Sequence, residues 1–417
     1  MDAFPAFVAV LIAAKVLFTL VLEDLNRRHA LERAGTVPAG MEGFVDLETY
    51  AKSVRYTAAT SLYNCAEALW SAAILAVLLF SGILPELYNS LSSAFGYSIW
   101  GQAAALLVIG QIIDFADWPL DWWHTFRVEE KFGFNKSGRG LWLADKSKGA
   151  VLSACLMYPI AVVLLGLIRV PYWWMWGFAC TFLFMLVLMV LYPMFILPLF
   201  NKFTPLADGE LKDRLMSLAA RTGCAAKTIL VMDGSRRSGH SNAFFAGVGR
   251  TRRVVLFDTL IAQLSPEELE GVLAHEIGHY KLGHIPRMIG VSAILTFLSF
   301  ALIGWLASCP WFVTSFGFAH DPARLAPVLL LFSLLSGPFL FWLTPLFSII
   351  SRRNEYQADA FAKRALSGDP EPLIGALRKL HTENLGNLVP HPLYSSFHYS
   401  HPTLPERETA LRGNGPA

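Results

Sequence analysis

Charge is what this chain has least of. Asp, Glu, Lys and Arg make up 16% of its 417 residues, where soluble globular chains carry about 25%. That deficit argues against a water-solvated globular protein and points to a membrane protein. The net charge is +2 at pH 7, too small to suggest a nucleic-acid partner. Cysteine is scarce as well. Cys65, Cys155, Cys180, Cys224 and Cys309 are scattered and form no C-x-x-C pair, so neither a disulfide framework nor a cysteine zinc site is expected. There is no internal repeat and no low-complexity tract. Met1-Asp2-Ala3 holds no Lys or Arg, and no small-residue cleavage site precedes Glu23. The first apolar run therefore reads as a retained helix and not as a signal peptide. The tail, Asn414-Gly415-Pro416-Ala417, carries no retrieval signal for the endoplasmic reticulum.

Apolar residues take the place of the missing charge. They reach 54%, with a mean hydropathy of +0.45. Seven spans are expected, at about 4–22, 66–84, 98–117, 150–168, 173–198, 287–307 and 326–350. Basic residues cluster after the first span (Arg27, Arg28, Arg33, Lys52, Arg55) and after the third (Arg127, Lys131, Lys136, Arg139, Lys146, Lys148). They are also rich in the segment after span five and in the tail, whereas the alternate loops are nearly bare. The positive-inside rule then turns the N-terminus outward and the C-terminal tail toward the cytoplasm.

The chain divides into 1–200, a membrane part of five spans; 201–286, a first soluble piece; 287–350, two further spans; and 351–417, a second soluble piece. The first soluble piece reads as a helix (Glu210–Arg221) and strands at Thr228–Met232, Ala243–Val248 and Arg253–Phe257, then a further helix. Gly249 marks a turn between the last two strands, which suits a hairpin. The second piece reads as helices at Ser351–Ala365 and Pro370–Leu380, a His- and Pro-containing loop, and a short helix from Pro405.

His275-Glu276-Ile277-Gly278-His279 is an H-E-x-x-H motif. On a helix, positions i and i+4 share a face, so both imidazoles can reach one metal ion and the glutamate can serve a water beside it. The surroundings supply the helix. Ser265 suits the N-cap, Pro266 the first turn and Glu268 a capping box. Gly283 and Pro286 mark the end. Ordinary surface or core histidines are the plainer alternative.

Two histidines need a third protein ligand to make a catalytic zinc site. His284 follows His279 by five residues and so leaves the shared face. Glu355 and Asp359 lie i and i+4 on the next soluble helix, which suits one carboxylate on the metal and one orienting a histidine. Spacing alone reads equally well as a solvated face balanced by Arg352 and Arg353.

With these residues in view, the chain resembles the M48 peptidases, specifically the Ste24-type membrane zinc metalloproteases, or type I CAAX prenyl proteases. The resemblance rests on His275-Glu276-x-x-His279, Glu355-x-x-Ala358-Asp359, the run Glu129 to Asn135, the run Pro198 to Leu206, Ser241-Asn242-Ala243-Phe244-Phe245 and Ser400-His401-Pro402. It covers nearly the whole length. It implies a mainly α fold: a seven-transmembrane-helix integral membrane protein with a gluzincin-like zinc metalloprotease domain carrying a small β-sheet. It implies one Zn2+ per chain on His275, His279 and Glu355, with Glu276 as catalytic base and Asp359 as a second catalytic carboxylate. It places a histidine such as His401 at the active site, as the candidate donor to the developing oxyanion. Arg407 could pair with Asp359 or with substrate. Asn242, Ala243, Phe244 and Phe245 suit an edge strand that holds an extended peptide by main-chain hydrogen bonds; ordinary hairpin packing is the alternative. Relatives enclose a water-filled chamber, which Asp114, Asp117 and Glu67 could line, although Glu67 reads more simply as a span-end residue near the headgroups.

A zinc ion there would supply a water with a pKa near about 7 and polarise the scissile carbonyl. Glu276 would take the water's proton and pass it to the leaving amine. The expected partners are a peptide or protein substrate, lipidated or not, and membrane lipid. Eukaryotic members cut prenylated C-a-a-X termini, whereas bacterial relatives clear misfolded membrane proteins. The reading leans to a bacterial inner membrane, with the endoplasmic reticulum as the eukaryotic counterpart. Oligomeric state is left open, with a monomer compatible. A site-2-type intramembrane protease is a poorer reading, because the motif helix carries Glu267, Glu268, Glu270 and Lys281. A channel or transporter with a vestigial metal site is a third, opposed by the intact site residues.

Overall fold

The computed structural model describes residues 3–224, 228–246, 253–321 and 323–413. Among them, seven helices are long and apolar enough to cross a membrane: Ala3–Glu32, Leu47–Phe80, Ile99–Phe132, Arg139–Leu167, Trp173–Phe200, His284–Ala307 and Ala326–Ala365. The expected count of spans holds, but several helices run well past the apolar core. A helix of 34 residues such as Leu47–Phe80 is about 50 Å long, against a hydrocarbon thickness of about 30 Å. Its first turns therefore stand in water. There Tyr50 and Val54 join Ala30, Met41 and Val45 in one apolar core with Leu215, Ile229 and Leu273 of the soluble piece. A second core, around Leu84, Tyr88, Ile109, Phe312 and Leu331, closes the other end of the bundle. The bare loop expected between spans two and three holds a helix of its own, Ile83–Phe95.

Two of these extensions reposition sequence-based expectations. Because the second helix starts at Leu47, Glu67 lies in the interior of that helix. It lines a cavity of about 410 Å³ with Lys15, Glu23 and Asn64. Asp114 lines a larger cavity of about 960 Å³ with Asp121, Asp145 and Lys146. The seventh span does not stop at 350. The first helix, which contains Pro338, ends at Leu340, a 3-10 turn covers Phe341–Leu343, and the helix resumes as Thr344–Ala365 with Pro345 in its first turn. Proline removes a backbone donor and clashes with the preceding turn, so a break there is expected. One rod thus begins in the membrane half and ends with Glu355 and Asp359.

Four strands form one sheet in the order β1-β2-β4-β3. They are β1 (Phe203–Pro205), β2 (Thr228–Met232), β3 (Ala243–Ala246) and β4 (Arg253–Phe257). β3 pairs antiparallel with β4, as a hairpin requires, while Val248 and the Gly249 turn lie outside the described residues. β1 was not foreseen; Pro205 hides it, and it sits at an edge, where proline is tolerated. β3 is the other edge.

Candidate metal centre

The motif helix spans Pro266–Lys281. Ser265 accepts the Glu268 N–H, and the Glu268 side chain accepts the Ser265 N–H in return, a capping box that stabilises the start by about 1 kcal/mol. Gly278 decides what can lie beside it. A Cβ there would meet Ala358 backbone atoms at 3.0 Å, so only glycine lets the Thr344–Ala365 helix approach so closely. That contact brings Glu355 level with both histidines.

The donor atoms converge. His275 Nε2 and His279 Nε2 are 3.1 Å apart. Glu355 Oε2 lies 3.4 Å from His275 Nε2, and Oε1 lies 3.2 Å from His279 Nε2. One ligand atom from each residue falls within 4.8 Å of the others. Glu355 is only 4% exposed, and its Oε2 has no hydrogen-bond partner. Facing lone pairs and an unsatisfied buried carboxylate oxygen are unfavourable unless a cation sits among them. The donor set therefore fits the metal implied by the motif. The same group attracts a proton: burial alone would lower the His275 pKa, but the Asp359 and Glu355 carboxylates outweigh it and push it up to about 9.

Each imidazole is held from behind. Asp359 Oδ1 is 2.8 Å from His275 Nδ1, which assigns the proton to Nδ1 and leaves Nε2 for a metal. Arg407 donates to both Asp359 oxygens, at 2.6 and 2.8 Å. His279 Nδ1 faces His284 Nδ1 at 3.0 Å, and His284 Nε2 faces Gln357 Oε1 at 3.0 Å. As the sequence suggests, His284 is not among the converging donors, but it stands behind His279, which the sequence did not show. Gly283 at φ 72° turns the chain and a new helix starts at His284, so the spacing of a continuous helix does not apply. Of the two readings of Arg407, pairing with Asp359 is the one seen: its buried guanidinium donates to both Asp359 oxygens and also lies 3.7 Å from Glu355 Oε2. Asp359, at 2% exposure, has both oxygens engaged, by His275 Nδ1 and by Arg407.

Glu276 opens onto a cavity of about 550 Å³ that His279, Phe245, Met185 and Met288 also line. Burial pushes its carboxyl pKa up, opposed by the neighbouring histidines. His401 is exposed and lines a separate cavity of about 440 Å³ with Asn384 and Arg407; its Nε2 is 3.5 Å from Glu355 Oε1 and its Nδ1 3.0 Å from Ser400 Oγ.

Strand alternation sorts the β3 residues. Phe244 packs on the far face of the sheet with Met232 and Val255, so its side chain does not reach the cavity. Ala243 is buried, and Phe245 lines the cavity. The Phe257 N–H donates to the Asn242 carbonyl. Antiparallel pairing alternates, so Phe244 turns its main chain to β4 while Ala243 and Phe245 turn theirs to the open edge. Asn242 Oδ1 accepts the Ala243 N–H at 2.8 Å.

Seven apolar helices, an H-E-x-x-H helix and a carboxylate delivered by the last span define a membrane-embedded metalloendopeptidase. Residues 26–202 match the CAAX prenyl protease N-terminal family, with its five membrane helices, and residues 205–414 match peptidase family M48. The chain belongs to the M48 family. It is 39% identical to CAAX prenyl protease 1 of Saccharomyces cerevisiae over 90% of this chain and 88% of that one. It is 32% identical to the CAAX prenyl protease 1 homolog of Homo sapiens over 93% and 91%. The crystal structure of S. mikatae Ste24p superposes with a TM-score of 0.90 at 35% identity, covering 99% of both chains.

Proposed function

We propose that this chain is a zinc endopeptidase that cleaves peptides lying extended along the open edge of β3, with Glu276 as the base. The observation that carries the reading is the convergence of His275, His279 and Glu355 beside Glu276, in a cavity that β3 borders through Phe245. One zinc ion on the three ligands would supply Lewis acidity for the scissile carbonyl and an acidified water. Glu276 receives the proton of that water; its raised pKa brings the carboxyl closer to neutral pH, which suits a group that must also return the proton to the leaving amine. His401, exposed beside Glu355, donates to the oxygen on which charge develops. Asp359 and Arg407 hold His275 and stay out of the proton path. The open N–H and C=O groups of Phe245 bind the substrate backbone, as in strand addition.

The cavity wall of Phe182, Met185, Leu186, Met189, Ile285 and Met288 suits aliphatic side chains. With relatives named CAAX prenyl protease 1, that favours C-terminal C-a-a-X peptides over misfolded membrane proteins as substrates. The distribution of Lys and Arg puts the site on the cytoplasmic side, in the inner membrane of a bacterium or the endoplasmic reticulum of a eukaryote.

The test is Glu276→Gln, assayed for bound zinc and for cleavage of a C-a-a-X peptide with and without its prenyl group. Zinc should stay at one per chain while kcat falls at least about a hundredfold. Retained turnover would remove Glu276 as base. Equal rates of the wild type on the prenylated and plain peptides would remove the lipid from the specificity.

A further inference from the structure

A half-buried polar cluster away from the metal joins the membrane helices to the start of β3. Glu129 lies in a π turn, His124–Glu129, that continues the third span. Such turns are rare and recur at functional sites. Glu129 Oε1 accepts the Tyr56 O–H at 2.7 Å, and Oε2 lies 3.0 Å from His240 Nε2. The other ring nitrogen, His240 Nδ1, is 3.2 Å from Asn384 Oδ1. The Ser241 N–H donates to that same Asn384 atom at 3.3 Å, which identifies it as the amide oxygen. Both nitrogens of His240 thus face acceptors. Only a doubly protonated imidazolium satisfies both. Phe134 stacks on the ring at 4.0 Å between centroids, a favourable partner for a cation. Burial lowers the His240 pKa, but Glu129 and Asn384 more than offset it and the net shift is upward.

The surrounding backbone is pinned to match. The Gly239 N–H donates to the Phe134 carbonyl at 2.9 Å, and the Lys136 N–H donates to the Arg237 carbonyl at 3.0 Å. Arg237 grips Asp145 of the fourth span at 2.7 and 3.1 Å. Thr259 Oγ1 donates to the His240 carbonyl at 3.0 Å. Two residues after His240, Asn242 opens β3. Four parts of the chain therefore meet at one ion pair: the second span through Tyr56, the third through Glu129, the sheet through His240 and the C-terminal piece through Asn384.

We propose that Glu129 and His240 form a charged joint that fixes the open edge of β3, and hence a bound peptide, relative to the membrane helices. Both are positioning residues; neither touches the metal ligands. The inference rests on the reading that substrate lies along β3.

The test uses full-length, zinc-loaded enzyme in lipid nanodiscs and a quenched peptide substrate. His240→Ala and Glu129→Ala should each raise KM about tenfold and change kcat by less than about twofold, with zinc content unchanged. The double variant should be no worse than either single one, because the two act as a unit. Glu129→Asp, which keeps the charge, should recover most of the loss and serves if an alanine variant does not fold. A lower melting temperature with unchanged KM would make the cluster merely structural and overturn the proposal. A parallel series of peptides, N-methylated at one position at a time, separates the two readings. Alternating KM increases establish strand pairing; if they appear and the variants keep their KM, the joint fails. If they are absent, it is the β3 reading that fails, and the joint with it.

Discussion

The two imidazoles of one motif are held by unlike surroundings. His275, on the inner side, is buried and backed by a carboxylate that is itself gripped by an arginine. His279, on the cavity side, is backed by neutral groups only, His284 and then Gln357. Both arrangements fix a tautomer and aim Nε2 at the same point. They differ in what failure costs. On the inner side every group is charged and dry, so loss of one partner strands another charge in low dielectric. On the cavity side the backing groups are neutral, so loss of one strands no charge, although His284 is itself only 3% exposed. The inner half is thus built for rigidity and the outer half for tolerance next to a moving substrate.

Asp359→Ala should break this contrast hardest. It removes the His275 acceptor and leaves Arg407, 6% exposed, without its main partner. The expected loss is about 3–5 kcal/mol of stability, together with weaker metal binding. Thermal melts with and without zinc, beside a competitive metal titration, read both. A variant that melts like the wild type would show that the arginine finds solvent or another anion, and that the inner half is no more rigid than the outer.

His284→Ala should cost less and differently. Removing a group that orients a ligand lowers metal affinity by about 10- to 100-fold, while no charge is left buried. The melting temperature of the metal-free protein should therefore move little. Equal metal affinity would mean that a water takes over behind His279, and that the relay through His284 is incidental.

How much of this contrast could be read in the sequence follows from how local each piece is. The motif helix was legible because Ser265, Pro266 and Glu268 form its cap within a few residues, and the capping box is present. The spans were legible because lipid demands long apolar runs, although their ends were not. Polar residues such as Tyr56 and Glu129 ride on helices that continue beyond the membrane. Glu355 needed the family resemblance, since its partners sit across two spans and spacing alone could not exclude a solvated face. His284 was lost to a rule for continuous helices that one left-handed glycine, Gly283, cancels. A glycine four residues past the last ligand, with a proline soon after, was the available signal. The β3 edge was legible as a strand offering main-chain hydrogen bonds, but which of Phe244 and Phe245 faces the cavity was not, because the side-chain period of a strand is two and its phase is set by pairing with β4.

The smallest effect should come from the far end of the neutral relay. Gln357 sits on the same helix as Glu355 and meets the metal only through His284 and His279. Gln357→Ala takes away the acceptor of His284 Nε2 but leaves the Nδ1 contact with His279 in place. A neutral hydrogen bond contributes about 1 kcal/mol, and here only part of it is transmitted, so metal affinity should fall by no more than about threefold. The same titration measures it. If Gln357→Ala weakened zinc as much as His284→Ala, the relay would act as one locked unit, and the cavity side would be as rigid as the charged side. If it fell between no change and that value, hydrogen bonding would be attenuating step by step, as a chain of neutral groups should.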